Sequence, residues 1–143
     1  MLFVSAVALY NAKGQILLQQ RPEGKPMAGL WEFPGGKVET GETPEAALIR
    51  ELREELNIKV EPQNLEPLSF VTHAINPKSN QPDDADAFYT DDANNQLLLL
   101  LYRCHLWHGE LEPQEGQHVQ YFAEMAMRRL PMPPADKPLL GFV

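Results

Sequence analysis

One cysteine is present in 143 residues. Cys104 therefore has no internal disulfide partner, which fits a reducing compartment. It lies in an apolar run and reads as buried filler rather than a reactive thiol. Positive charge is scarce as well: 12 Lys and Arg stand against 20 Asp and Glu, for a formal net charge of −8. That balance excludes nonspecific attachment to a nucleic acid polymer or an anionic membrane. The apolar start, Met1–Tyr10, has no basic n-region and no cleavage site, and it is too short to span a bilayer. The expected location is the cytoplasm. No Gly-Lys-Ser/Thr follows the glycines, so there is no P-loop, and no Ser/His/Asp or Cys/His constellation competes for nucleophilic chemistry. Neither an internal repeat nor a domain boundary is visible. With 43% hydrophobic residues, positions 1–143 predict one domain whose core needs no disulfide or metal staple.

What the chain does have is one densely marked stretch, Glu32–Ile58. Its second half predicts a helix with both ends signalled. Thr43 can cap the N-terminus, Pro44 suits the first helical position, and Glu42 and Glu45 lie near the positive end of the dipole. Asn57 follows the last turn and tolerates the left-handed conformation that closes many helices. Leu48, Ile49, Leu52 and Leu56 make an apolar stripe. Beside it Glu51, Glu54 and Glu55 fall at i, i+3, i+4, with Arg50 four residues ahead of Glu54. Three carboxylates on one patch repel, and without a partner at least one pKa should rise. A hard divalent cation such as Mg²⁺ resolves the conflict, because it takes oxygen ligands and keeps several waters. The Pro34-Gly35-Gly36 loop can bring bare backbone carbonyls to the same patch.

Gly36, Glu42 and the run Arg50-Glu51-Leu52-Arg53-Glu54-Glu55-Leu56-Asn57-Ile58 resemble the Nudix box, with Asn57 at the position of its late glycine. The RPEGKPMAGLWEFPGGK segment, the Gln114-Glu-Gly-Gln117 loop and the PPADKPLL ending are similar to MutT-type members of that family. The resemblance implies an α/β Nudix fold, a mixed β-sheet sandwiched between helices (α/β/α). It also implies hydrolysis of a nucleoside triphosphate to monophosphate and pyrophosphate, with Mg²⁺ as cofactor and Mn²⁺ as substitute. By position, the Gly35 carbonyl, Glu51, Glu54 and Glu55 would hold metal, and Glu115 would complete the site or act as base. Arg50 is the box arginine. Arg21 would bind nucleotide, Lys37 would face the phosphates, and Phe33 and Asp136 would line the base pocket.

Three functions follow from the resemblance: sanitation of oxidised purine nucleotides such as 8-oxo-dGTP, cleavage of CTP, a modified pyrimidine or another nucleoside triphosphate, or a non-catalytic module that binds nucleotide or a protein. The intact box argues against the last. The substrate is the expected partner, with the chain a monomer or weak dimer. At Asp136 the pattern associated with 8-oxoguanine has Asn. An ionised Asp can only accept, so it would meet O6 lone pair against lone pair. Either Asp136 is buried and protonated, or the enzyme prefers a base offering an amino group, such as cytosine.

Around the box, Phe3–Leu9 and Ile16–Gln20 read as an opening hairpin turned by Asn11–Gly14. Lys59–Val60 and Leu68–His73 read as strands. Positions 76–96, with five Asp and two Pro, read as a loop insertion, a passive one by default. Its Asp spacing does not match a calcium loop. Leu97–Trp107 reads as a central strand buried on both faces, His118–Phe122 as the last strand, and Ala123–Leu130 and Ala135–Phe142 as helical segments. His105 and His108 have no partner at metal-ligand spacing and read as structural.

Overall fold

A computed structural model describes residues 1–25, 27–75 and 96–143. The Asp-rich insertion lies outside the described residues, apart from its last residue, Gln96, which opens a strand. The chain runs β1 (Leu2–Leu9), β2 (Ile16–Gln20), β3 (Trp31–Glu32), β4 (Gly35–Lys37) and α1 (Pro44–Leu56). It continues through β5 (Glu66–Ala74), β6 (Gln96–Cys104), β7 (His118–Phe122) and α2 (Glu124–Met127), and ends in a 3-10 helix, Lys137–Phe142.

The strands form two sheets. One is four-stranded and mixed, in the order β4-β1-β6-β5, with β1 parallel to β6. The other is three-stranded and antiparallel, β3-β2-β7. The expected opening hairpin is therefore wrong beyond its turn. Asn11 does close that turn, accepting from the Lys13 and Gln15 amides on its side-chain oxygen, and Tyr10 bridges Ile16. From there β1 pairs with β6 from Leu2↔Leu97 to Leu9↔Cys104, and β2 leaves for the second sheet.

Alternation along β1 explains the layers. Ala6 and Ala8 face a core that includes Ile16, Leu18, Met127 of α2 and Leu139 of the terminal 3-10 helix. Val7 and Leu9 face the other way, against Leu48, Leu52 and Leu56 of α1. Those three leucines have no exposed surface, and burying each contributes about 1.5–3 kcal/mol. The expected layering of helix, sheet and helix holds, with the strands split between two sheets.

Other boundaries shift for visible reasons. Lys59 makes only an isolated bridge to His108, so Lys59–Val60 is not a strand. β6 stops at Cys104, where its partner β1 ends, rather than at Trp107. Leu97, Leu99 and Leu101 are buried on one face, and Tyr102 and Cys104 on the other. Leu98 and Leu100 are only partly covered, so the double-sided burial is incomplete. The Ala123–Leu130 helix contracts to the single turn of α2. Cys104 is fully buried with Sγ 3.2 Å from the Leu106 carbonyl, as filler should be. No helix among the described residues is long and apolar enough to cross a membrane.

Candidate active site

The loop and helix around the glutamates fold as their residues dictate. Thr43 Oγ1 accepts from the Ala46 amide at 3.1 Å. Asn57 closes α1 at φ 57°, ψ 32°, its N–H returned to the Arg53 carbonyl at 3.2 Å. β4 lies antiparallel to β1, with Gly35 opposite Ala6 and Gly36 opposite Ser5. Both glycines are required by close approach. A Cβ on Gly35 would overlap the Ser5 carbonyl, and one on Gly36 would overlap the Glu51 carboxylate. The strand thus puts no side chain of its own against the Glu51 carboxylate of the helix.

Arg50 organises this contact. Its guanidinium clamps Glu42 through two hydrogen bonds, at 2.8 and 2.9 Å. It also donates to Glu51 at 2.9 Å, to the Lys37 carbonyl at 3.2 Å and to Glu54 at 3.5 Å. The sequence reading paired Arg50 with Glu54 and gave Glu42 to the helix dipole; in the structure Glu42 is the principal partner and Glu54 the longest contact. The hydrogen bond from Arg50 is the main reason the Glu42 carboxyl titrates below its usual range, and Glu42 in turn holds Arg50 charged.

The three box glutamates differ sharply in setting. Glu54 is 58% exposed, whereas Glu51 is 16% exposed. Glu55 has one carboxylate oxygen buried with no hydrogen-bond partner among the described residues. Burial first, then the neighbouring Glu51, Glu115 and Glu32 carboxylates, raise the Glu55 pKa. The Glu115 loop is fastened to the same end of α1. The Gln114 amide and the Gln117 side chain donate to the Glu55 carbonyl at 2.9 and 3.0 Å, and the Glu115 amide donates to Gln117 Oε1 at 2.8 Å.

Two cavities adjoin the patch. One, of about 500 Å³, is lined by Arg21, Lys25, Glu55, Glu115 and Gln117 among others. The other, of about 200 Å³, brings together Phe33, Gly35, Lys37, Glu55, Leu99 and Asp136. Asp136 is 6% exposed and accepts from the Phe33 amide at 3.1 Å. Burial, with Glu32 adding to it, pushes its carboxyl well above the usual range, against the opposing Phe33 hydrogen bond. Glu32 is pushed up to about 7 by burial, against Arg21 and Gln19.

The NUDIX domain model matches residues 2–141. The chain belongs to the Nudix family. A curated relative, the CTP pyrophosphohydrolase of Escherichia coli, is 35% identical over 138 residues, covering 93% of this chain and 84% of that protein. An 8-oxo-dGTP diphosphatase of Haemophilus influenzae is 34% identical over 137 residues, covering 96% and 87%. Among solved structures, the solution structure of the E. coli ORF135 protein superposes with a TM-score of 0.77 at 32% identity, covering 99% of this chain and 87% of that one.

Nudix hydrolases generally need a divalent metal, and the chemistry of this patch fits one. Its donors are all oxygen, Glu55 carries a buried oxygen with no hydrogen-bond partner among the described residues, and Gly36 leaves the approach to Glu51 bare. The described residues do not form a closed cage: no three of their His, Cys, Asp or Glu side chains converge tightly enough to hold an ion as they stand. An open, one-sided set suits a cation that keeps several waters.

The structure gathers Arg21, Phe33, Gly35, Lys37, Glu55 and Asp136 around one cavity, and Glu115 joins Arg21 and Glu55 at the other. Glu51, Glu54 and Arg50 form the adjoining helix face. Sequence reasoning missed Glu32, Gln19 and Gln117 as parts of the site. No local signal marked them, since a polar residue in or beside a strand reads as a solvent face.

Proposed function

We propose that this Nudix hydrolase cleaves a nucleoside triphosphate to a monophosphate and pyrophosphate, with 8-oxo-dGTP as its substrate. The Gly35 carbonyl, Glu51, Glu54, Glu55 and Glu115 would hold Mg²⁺, or Mn²⁺ in its place. Bound there, the cation would neutralise phosphate oxygens and lower the pKa of the attacking water. Water adds at phosphorus, the α–β anhydride bond breaks to release pyrophosphate, and a carboxylate takes the water's proton; that Glu115 lines the same cavity as Glu55 supports giving it this role. Arg21 and Lys37 screen the phosphates from the acidic protein. Phe33 and Asp136 take the base.

Asp136 carries the choice of base. Its burial favours the neutral acid, which offers both a donor and an acceptor. The acid can donate to O6 of the oxidised base and accept its N7–H, as an amide would. A second reading, CTP, draws support from the E. coli relative that bears that name. A screen of nucleoside triphosphates with pyrophosphate detection tests both, run on wild type and Asp136→Asn. The first reading expects 8-oxo-dGTP to lead and the amide variant to keep that activity. A best activity on CTP that Asp136→Asn destroys would overturn it.

A further inference from the structure

The two cavities share a wall made of Gln19, Arg21, Glu32 and Glu55. If the proposed function holds, on which this inference rests, the base lies beside Phe33 and Asp136 and the phosphates beside Glu55 and Glu115. The sugar then crosses the shared wall. Gln19 is the one uncharged residue of that wall. It is 6% exposed and stands directly opposite Glu32 in the β2–β3 register. Its Nε2 donates to Glu32 Oε1 at 3.3 Å. That leaves Oε1 buried with no hydrogen-bond partner among the described residues.

A buried amide oxygen without a donor is costly, and such groups in native proteins call for an explanation. While Glu32 is ionised, turning the amide over removes nothing, because it would set Oε1 against the carboxylate, lone pair to lone pair. The site therefore presents a fixed acceptor at the junction of its two cavities. Between its base and its phosphates a nucleotide carries only sugar hydroxyls as donors. The 3′-hydroxyl is common to ribonucleotides and deoxyribonucleotides, so it serves under either substrate reading.

We propose that Gln19 reads the sugar, its Oε1 accepting a hydrogen bond from the 3′-hydroxyl of the bound nucleotide. Glu32, by accepting from Nε2, orients the amide for that contact.

The test pairs each 2′-deoxynucleoside triphosphate that the enzyme hydrolyses with its 2′,3′-dideoxy counterpart, in wild type and Gln19→Met. The corresponding monophosphates are titrated calorimetrically without metal. Wild type should favour the 3′-hydroxyl by roughly tenfold in kcat/KM and in Kd, the value of one hydrogen bond. Gln19→Met, which keeps the length and loses the acceptor, should bring both ratios close to one while still melting cooperatively as a folded protein, below wild type by the lost Nε2–Glu32 hydrogen bond. If Met does not fold at this position, Gln19→Ala takes its place. A wild-type ratio near one overturns the proposal. So does a ratio that survives in Gln19→Met, which would give the contact to another group, or a monophosphate pair that does not bind. If no triphosphate is hydrolysed, the proposed function falls, while the monophosphate ratio still decides the role of Gln19.

Discussion

Replacing Gly36 and Gly35 by alanine, one at a time, separates chemistry from architecture within two adjacent residues. At Gly36 the new Cβ would run into the Glu51 carboxylate, the free end of a flexible side chain. That end can swing aside, but only by leaving its 2.9 Å hydrogen bond from Arg50. A charged hydrogen bond contributes about 1.5–3 kcal/mol. The lower backbone entropy of Ala in the unfolded chain returns about 0.4–1 kcal/mol. Arg50 keeps its two bonds to Glu42, so the net loss should stay near 1–2 kcal/mol. In a chain of this length that lowers Tm by roughly 3–8 °C. Hydrolysis should fall much further, by about 10- to 100-fold, because a carboxylate proposed to hold the metal would be displaced.

At Gly35 the Cβ would strike the Ser5 backbone. A backbone cannot step aside without opening the β1–β4 pairing, so the cost should be about 3 kcal/mol or more. Differential scanning calorimetry and a pyrophosphate-release assay on the two variants check the pair. Gly36→Ala with wild-type turnover would refute the role given to Glu51. A stability loss as large as that of Gly35→Ala would show that α1 itself, not the side chain, is displaced.

Glu54→Gln keeps the shape of an exposed side chain and removes its charge, so it should fold normally and lose roughly two orders of magnitude in rate. Activity should need Mg²⁺ or Mn²⁺ and vanish with chelator; near wild-type turnover of the variant would sink the ligand assignment. Asp136 has a raised carboxyl pKa, so its neutral form is lost as pH climbs through that value. The preference of wild type for 8-oxo-dGTP over dGTP should therefore fall at high pH, while Asp136→Asn should hold it flat. A rise with pH in wild type would count against a protonated acid. Glu32, raised to about 7, binds its proton more tightly folded than unfolded. Stability should thus decline between the ordinary carboxylate range near pH 4.5 and pH 7, by up to about 3 kcal/mol. Glu32→Gln should remove that part of the slope in urea melts taken across the interval, and an unchanged slope would assign it elsewhere.

The helix was legible because its signals are local. Thr43, Pro44 and Asn57 state where it begins and ends, and the Leu48–Leu52–Leu56 stripe states which face is buried. The same locality misled at Asn11–Gly14. A turn records only that the chain reverses, and the parting of β1 and β2 depends on β6, which lies far along the sequence. Three of the glutamates and the glycine loop were readable from spacing. Glu32 and Gln19 were not, because a polar residue in a strand reads as a solvent face until the neighbouring sheet covers it. Glu42 was visible but misassigned, since its bond to Arg50 spans eight residues and needs the loop to fold back. Asp136 entered through resemblance alone; its burial comes from the packing of the terminal 3-10 helix.

The parallel pairing of β1 with β6 also sets an order of events. β1 takes β4 on one edge from residues close by and β6 on the other from nearly a hundred residues later. During synthesis the glycine loop, α1 and the Arg50 clamp can therefore assemble on the first strand while its far edge is still bare. Closure of that edge waits for a contact between distant parts of the chain, the kind that slows folding. Until then an apolar strand edge is open to other chains. The step most exposed to aggregation should thus be the arrival of β6, and substitutions at Leu98 and Leu100, which line neither cavity of the site, should reduce the yield of folded protein before they alter its catalysis.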